Sequence, residues 1–232
     1  MTDAQARYKE QAALAAVADE VRDGMVLGLG TGTTAAYVLQ ALGRLMRERG
    51  WRLRGVPTSD RTAADAERLG IPLTTLDETP DVALDGTDQV DAALNLVKGG
   101  GGAHVREKLV ALAARRVVIV GDTTKAVATL HGPIPLEVLP FALPWVLREL
   151  PAQIRGSTAS VRLRDGQPAR SDGGNFLVDL QCGPLGDPAA TAAILDGTSG
   201  VVDHGLFLGI ADVVYLAGPD GVRRLTAERG RR

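Results

Sequence analysis

The chain has 232 residues, of which 45% are hydrophobic and 23% charged, so it can form one large domain or two small ones. Its formal net charge of −2 argues against a nucleic-acid-binding surface, which needs a basic stripe. No apolar run is long enough for a membrane span, and the polar start does not resemble a signal peptide. The single cysteine, Cys182, permits no intramolecular disulfide. These features predict a cytoplasmic protein that binds neither nucleic acid nor membrane, with a solvated basic tail at residues 229–232.

The first half of the chain alternates between helical and extended patterns. Apolar residues recur at helical spacing in four segments, and short apolar runs between them predict four strands. The predicted helices span residues 5–21, 34–47, 63–69 and 106–114, and the predicted strands span residues 25–29, 53–56, 81–84 and 117–120. Because strands alternate with helices, the sequence predicts a parallel α/β sheet.

The pattern changes after about residue 130. Residues 131–140 contain three prolines, and the segments that follow predict strands at 161–163 and 176–180 and a helix near 188–195. These elements indicate a smaller α+β unit. The apolar run 213–216 predicts a further strand that can rejoin the first sheet.

A glycine-rich turn, Gly28–Thr34, lies between the first predicted strand and the second predicted helix. Its glycines let the backbone approach an anion, the helix start offers unpaired N–H groups, and Thr31, Thr33 and Thr34 add hydroxyl donors. This combination favours a phosphate site. The alternatives are a tight turn whose threonines cap the helix, or a nucleotide loop. The P-loop lysine is missing, however, and the dinucleotide fingerprint is met only loosely.

Two carboxylates follow the third predicted strand, in the segment Asp85-Gly86-Thr87-Asp88. Residues at the carboxyl end of a parallel strand lie where α/β sheets bind ligands. Paired carboxylates there can hold sugar hydroxyls and move protons between oxygens. The alternative is a turn with solvated acids.

Four consecutive glycines follow Lys98 and precede the segment Arg106-Glu107-Lys108. Such a run suits a loop whose backbone N–H groups face a ligand oxygen, and Lys98 can stabilise an oxyanion. Glu107 is an acid between two bases at a helix start. The alternatives are a flexible loop and a solvated helix face.

Together, these segments resemble ribose-5-phosphate isomerase of the A type, over nearly the whole chain. Residues 30–35 are similar to that family's Gly-Thr-Gly-Ser-Thr-Ala loop, and residues 85–89 to its Asp-Gly-Ala-Asp-Glu. Residues 98–108 are similar to its Lys-Gly-Gly-Gly segment running into Arg-Glu-Lys, and residues 118–125 to its strand ending in Asp-x-Ser/Thr-Lys. The resemblance depends on several long motifs in the family's order.

The resemblance implies that Glu107 is the catalytic general base and that Asp85, Asp88 and Lys98 line the reacting end of the sugar. It places the substrate-binding positions at Thr31, Gly32, Thr33, Thr34, Gly86, Thr87, Gly99, Gly100, Gly101 and Lys125. It also implies a sugar phosphate substrate, a homodimer or homotetramer, and no cofactor. No metal is implied either, and the three histidines have no metal-ligand spacing.

The resemblance further implies a Rossmann-like α/β fold with a mostly parallel sheet at residues 1–130 and 207–232. A smaller α+β domain at residues 131–206 would be inserted late in the chain. A few positions depart from the family's pattern: Thr33 replaces a serine, Thr87 replaces an alanine and Gln89 replaces a glutamate. A phosphate-contacting lysine near the N-terminus is represented only by a weak candidate, Lys9.

The implied activity is the interconversion of ribose 5-phosphate and ribulose 5-phosphate through an enediolate. Glu107 would move the proton between C2 and C1, while Lys98 and the glycine loop would hold the charge. Asp85 and Asp88 would manage ring opening, with no division of roles between them. Two alternatives are a sugar-phosphate sensor, which needs a helix-turn-helix domain or a basic face, and an acyl-coenzyme A transferase with Glu107 as nucleophile.

Overall fold

A computed structural model describes residues 2–227, and the predicted basic tail lies outside them. The helices are α1 (Asp3–Glu20), α2 (Thr33–Arg49), α3 (Asp60–Arg68), α4 (His104–Ala113), α5 (Leu143–Gln153) and α6 (Pro188–Asp196). The strands are β1 (Val26–Leu29), β2 (Arg54–Pro57), β3 (Val82–Asp85), β4 (Gln89–Val90), β5 (Leu96–Val97), β6 (Val117–Asp122), β7 (Ile134–Val138), β8 (Thr158–Val161), β9 (Leu163–Arg164), β10 (Gln167–Pro168), β11 (Phe176–Gln181), β12 (Val201–His204), β13 (Leu206–Phe207), β14 (Val213–Gly218) and β15 (Gly221–Thr226). Short 3₁₀ turns span Thr123–Lys125 and Pro140–Ala142. Within this described part of the chain, no helix has both the length and the apolar character needed to cross a membrane.

Six strands form the central sheet, in the order β15-β14-β6-β3-β1-β2. Neighbouring strands from β14 to β2 are parallel, and β15 pairs antiparallel with β14 at one edge. The prediction of a mostly parallel α/β sheet is therefore confirmed. The strand predicted at 213–216 also rejoins this sheet, as β14.

Alternate residues of β6 face two different hydrophobic clusters. Val118 and Val120 pack with residues of α1 and α2, whereas Val117 and Ile119 pack in a cluster that contains Ala111 of α4. This alternation follows from the two-residue period of a strand. Because both faces are covered, the four inner strands β1, β3, β6 and β14 are buried along their whole length rather than at alternate residues.

A second sheet, β12-β7-β11-β8, is antiparallel throughout. Leu136 and Val178 belong to its hydrophobic cluster, together with Val146 of α5. A third, three-stranded sheet pairs β13 with β5 and β5 with β4. The residue limits of the smaller domain, 131 and 206, stay a prediction.

Several elements of the second half were not predicted, among them β12, β13 and β15, and two of those missed, β7 and α5, contain proline. Pro135 lies within β7, which is bonded on both sides. Pro144 lies at the start of α5, where its missing N–H costs no helical hydrogen bond. Pro151 lies in the last turn, and the helix ends two residues later.

Candidate active site

The loops that follow β1, β3 and β6 meet at one edge of the central sheet, because the carboxyl ends of parallel strands lie on the same side. Together with Gly99–Gly102, the glycine loop that precedes α4, they enclose a cleft of about 320 Å³. This volume falls within the range of about 300–1,000 Å³ for small-molecule sites. The cleft is lined by Lys9, Thr31, Gly32, Thr33, Thr34, Arg61, Gly86, Thr87, Asp88, Lys98, Gly101, Glu107 and Lys125.

Most of the predicted site residues are in this lining, but Asp85, Gly99 and Gly100 are not. The lining also includes Lys9, which was only a weak candidate, and Arg61, which sequence analysis missed. A signal for Arg61 was present, because it lies in the first turn of α3, just after β2. The carboxyl end of β2 reaches the same edge as the other site loops.

Lys98 is a buried cation that contacts two carboxylates. Its Nζ lies 3.0 Å from Asp85 Oδ2 and 3.2 Å from Glu107 Oε2, and it donates a hydrogen bond of 2.6 Å to the carbonyl oxygen of Gly86. Burial alone would lower the pKa of Lys98, but the charges of Asp85 and Glu107 outweigh burial and raise it. Lys98 therefore stays protonated and supplies a permanent positive charge.

Asp85 supports the surrounding backbone. Its Oδ1 accepts hydrogen bonds from the N–H groups of Gly86 at 2.7 Å and Thr31 at 3.1 Å. Gly30 permits this close approach, since a Cβ there would lie 2.1 Å from Asp85 Oδ1. Burial raises the pKa of Asp85, against the opposing effect of Lys98 and of these hydrogen bonds.

Glu107 reaches the cleft from the first turn of α4, and only 4% of it is exposed. Burial raises the pKa of Glu107 to about 8; Lys98 opposes this shift, and the charges of Asp85 and Asp88 add to it. Its Oε2 accepts no hydrogen bond from any residue within 2–227, although Lys98 is at ion-pair distance. The cleft thus contains a carboxyl group that can adopt either protonation state near neutral pH.

Asp88 and Thr31 both line the cleft, but their side chains form different hydrogen bonds. Asp88 Oδ2 accepts a hydrogen bond of 2.7 Å from the N–H of Gly100. The hydroxyl oxygen of Thr31 instead lies 2.7 Å from Thr58 Oγ1 and 2.8 Å from Ser59 Oγ. The Thr31 hydroxyl is therefore engaged within the protein, and the donor role predicted for it has no support in these contacts.

The start of α2 forms a cationic part of the cleft. Its N-cap is Gly32, at φ +108°, so no side chain caps the helix and the alternative of capping threonines is wrong. Lys9 Nζ donates to Thr33 Oγ1 at 3.0 Å. Lys125 is supplied by the 3₁₀ turn after β6, which Asp122 caps through the N–H of Thr124. An uncapped helix start next to two lysines favours an anion.

One group within residues 2–227 has metal-ligand geometry, although the sequence spacing did not indicate it. Asp196, Asp203 and His204 have ligand atoms within 4.8 Å of one another. The ammonium of Lys108 forms an ion pair with Asp203, and His204 Nε2 lies 3.0 Å from Asp196 Oδ1. The two carboxylates thus already have cationic or donor partners, and none of the three residues lines the cleft.

Comparison with known proteins gives consistent matches. The family model described as ribose 5-phosphate isomerase A (phosphoriboisomerase A) matches residues 54–221. Ribose-5-phosphate isomerase A of Chloroflexus aurantiacus is 50% identical over 224 residues, covering 94% of this chain and 92% of the relative.

Solved structures agree with this match. The ribose 5-phosphate isomerase of Plasmodium falciparum superposes with a TM-score of 0.93 at 36% identity, covering 97% of this chain and all of that one. The ribose 5-phosphate isomerase A of Methanocaldococcus jannaschii gives a TM-score of 0.90 at 38% identity, covering 95% and 98%.

Proposed function

The chain belongs to the ribose 5-phosphate isomerase A family, and on that premise we propose that Glu107 carries the proton between C2 and C1 of the sugar. The chain interconverts ribose 5-phosphate and ribulose 5-phosphate. In this reaction a proton leaves C2 of the open aldose and one arrives at C1 of the ketose. The observation that supports the proposal is the buried Glu107 carboxyl in the cleft, with an oxygen that lacks a hydrogen-bond partner among residues 2–227.

A carboxyl group is a suitable proton carrier here because its pKa is raised to about 8. General acid–base catalysis is most efficient when the catalytic pKa lies near the working pH. The raised pKa makes the Glu107 carboxylate a stronger base than an ordinary exposed carboxylate. As the carboxylate, Glu107 takes the proton from C2, and as the acid it returns the proton to C1.

Removal of the C2 proton leaves an enediolate, whose negative charge needs stabilisation. Lys98 is a fixed cation next to Glu107, and Gly101 lies in the same cleft. Preorganised charges and N–H donors in a buried site stabilise such an anion more strongly than water does. Lys98 therefore lowers the energy of the intermediate without itself transferring a proton.

The two aspartates have different surroundings, and we assign them different roles. Asp88 lines the cleft, so we assign it the sugar hydroxyl protons and ring opening. Asp85 lies behind the lining, where it contacts Lys98 and two backbone N–H groups. Its role is to hold Lys98 and the β1 loop in place.

We assign the phosphate group of the substrate to the cationic part of the cleft at the start of α2. The start of α2, Lys9 and Lys125 together provide backbone donors and positive charge. Binding energy from this remote group can support the chemical step at C1 and C2. Arg61 adds a further positive charge at this cleft.

We also propose that the chain acts in the cytoplasm as a homodimer or homotetramer. Exposed apolar side chains support self-association: Phe141 is 99% exposed, and the neighbouring Leu139 and Trp145 are also exposed. Light scattering should report a mass of two or four chains, and Phe141→Ser should weaken the association. A monomer for the wild-type chain would contradict the proposal.

The test of the catalytic assignment is Glu107→Gln, with Glu137→Gln as the matched control. Glu137 is also a glutamate that is 4% exposed, but it lies in β7 and bonds Asn175 rather than the cleft. The amide cannot take a carbon-bound proton, so kcat should fall by at least about 100-fold in Glu107→Gln. The control should stay near the wild-type value.

Exchange of the sugar's carbon-bound hydrogen with solvent distinguishes the general base from the other acidic residues of the site. In deuterated solvent, the wild-type enzyme should incorporate deuterium at the reacting carbon, and Glu107→Gln should lose both turnover and incorporation. Asp88→Asn should slow turnover while retaining exchange from the open-chain ketose. If Glu107→Gln keeps more than about a tenth of the wild-type kcat, another residue is the base.

A further inference from the structure

We propose that Arg162, which directly follows β8, is a positioning residue for the glycine loop (Gly99–Gly102) and for Asp88. Arg162 belongs to the part of the chain that forms the antiparallel sheet, and it does not line the cleft. Its contacts reach the loop that the substrate meets. The inference rests on the proposed function in one respect: it takes Asp88 and the glycine loop as the groups that face the sugar.

The guanidinium group of Arg162 binds both the carboxylate of Asp179 and the backbone of the glycine loop. Nε donates to Asp179 Oδ2 at 2.9 Å, and Nη2 pairs with Asp179 Oδ1. Nη1 donates to the carbonyl oxygens of Gly99 at 2.8 Å and Gly100 at 3.1 Å. The side chains of Arg162 and Asp179 are only 16% and 19% exposed, so the pair is a rigid bidentate fork rather than a mobile surface ion pair.

The peptide group between Gly99 and Gly100 is held from both sides. In a trans peptide the C=O and the following N–H point in opposite directions. The carbonyl of Gly99 accepts from Arg162, and the N–H of Gly100 donates to Asp88 Oδ2 at 2.7 Å. Arg162 thus orients the peptide that in turn orients the Asp88 carboxylate, through two hydrogen bonds that each include a charged group.

The next peptide group is oriented in the same way. The carbonyl of Gly100 accepts from Arg162, so the N–H of Gly101 points away from Arg162. Gly101 lies in the cleft lining. The same guanidinium therefore fixes the direction of a backbone donor at the substrate site.

The loop needs this external support because its sequence does not specify its shape. Four consecutive glycines, Gly99–Gly102, have the widest choice of backbone conformations of any residues. An interaction from outside the loop must select one of them. Arg162 supplies that interaction from a residue more than 60 positions later in the chain.

The experiment compares Arg162→Ala and Arg162→Lys with Arg164→Ala in the full-length enzyme. Arg164 is an exposed arginine two residues further along, and it serves as the matched control. Circular dichroism and thermal melting first establish that each variant is folded. We expect kcat/KM for ribose 5-phosphate to fall about 10- to 100-fold in Arg162→Ala, the range for loss of hydrogen bonds that include a charged group. Arg164→Ala should match the wild type.

A double-mutant cycle with Asp88→Asn tests positioning directly. If Arg162 acts through the Gly99–Gly100 peptide on Asp88, removing Arg162 in the Asp88→Asn background should cost much less than in the wild type. If Arg162 had a purely structural effect, its removal would lower kcat/KM by the same factor in both backgrounds, to within about twofold. Arg162→Lys enters the same cycle if Arg162→Ala does not fold, because lysine keeps the charge but loses the fork.

Two results would overturn the inference: kcat/KM within about twofold of the wild type in the folded Arg162 variant, or additive effects in the cycle. These results are distinct from failure of the proposed base. If Glu107→Gln stays active while Arg162 and Asp88 couple, the base assignment is wrong and the positioning role stands. If Glu107→Gln is inactive and the cycle is additive, the positioning role alone is wrong.

Discussion

Removing the Asp85 charge should shift the pH dependence of the enzyme towards acid. In the wild type, burial raises the pKa of Glu107 to about 8. A base acts only when it is deprotonated, so kcat/KM should rise with pH and level off above about 8. The negative charge of Asp85 contributes to this raised pKa. Asp85→Asn removes that charge, and the midpoint of the rise should move to lower pH.

The size of the shift follows from the geometry. Both carboxylates contact Lys98 Nζ, at 3.0 and 3.2 Å, so their repulsion acts over about 6 Å or less. At an effective dielectric constant of about 20, two unit charges at that separation interact by roughly 3 kcal/mol, equivalent to about two pH units. Lys98 contacts both carboxylates and screens part of this repulsion. We therefore expect a shift of about one to two units.

The assay is kcat/KM for ribose 5-phosphate at a series of pH values, for the wild type, Asp85→Asn, Lys98→Met and a control. Asp165→Asn is a suitable control, because Asp165 is exposed and its φ of +53° suits asparagine. Ionisation of the substrate is common to all variants and cancels in the comparison. Lys98→Met removes the cation that lowers the pKa of Glu107, so its midpoint should move to higher pH.

Two results would refute this reasoning. The first is a midpoint that stays in place when the Asp85 charge is removed. The second is a wild-type kcat/KM that falls, rather than rises, as the pH increases towards 8. Either result would mean that the titrating base is not the buried carboxyl group of Glu107.

Three further predictions concern metal, phosphate and packing. Activity should survive dialysis against EDTA, because Lys98 Nζ already occupies the position between Asp85 and Glu107 where a cation would bind; loss of turnover that a divalent ion restores would contradict this. Free ribose should have a kcat/KM at least about 100-fold below that of ribose 5-phosphate, because two or more charge-assisted hydrogen bonds to phosphate are lost; comparable values would remove the phosphate role from the α2 site. Gly30→Ala should abolish most activity and lower the melting temperature, since the new Cβ would overlap Asp85 Oδ1. Such overpacking costs about 1–3 kcal/mol. An unchanged melting curve and full turnover would show that the loop after β1 can move away from Asp85 freely.

In the first half of the chain, local patterns were sufficient for the strands of the central sheet and for the helices, but not for the two-residue strands β4 and β5. The alternation of apolar strands with amphipathic helices predicted the parallel sheet, because both signals depend on residues close in sequence. The same rule failed for β7 and α5. Their prolines are compatible with a strand and a helix only in the positions that the fold gives them, and a proline in the sequence does not reveal that position.

The sequence by itself determined which residue types could perform the chemistry, because the acids, Lys98 and the glycine loops all belong to contiguous motifs. It could not separate Asp85 from Asp88, because both lie at the carboxyl end of the same strand and differ only in what surrounds them. It also missed Arg61 and Arg162, since neither belongs to the motifs that carry the chemistry. The raised pKa of Glu107 likewise depends on burial and on the charges of Asp85 and Asp88. Desolvation and Coulomb interactions depend on distance in space rather than along the chain, so only the tertiary structure decided them.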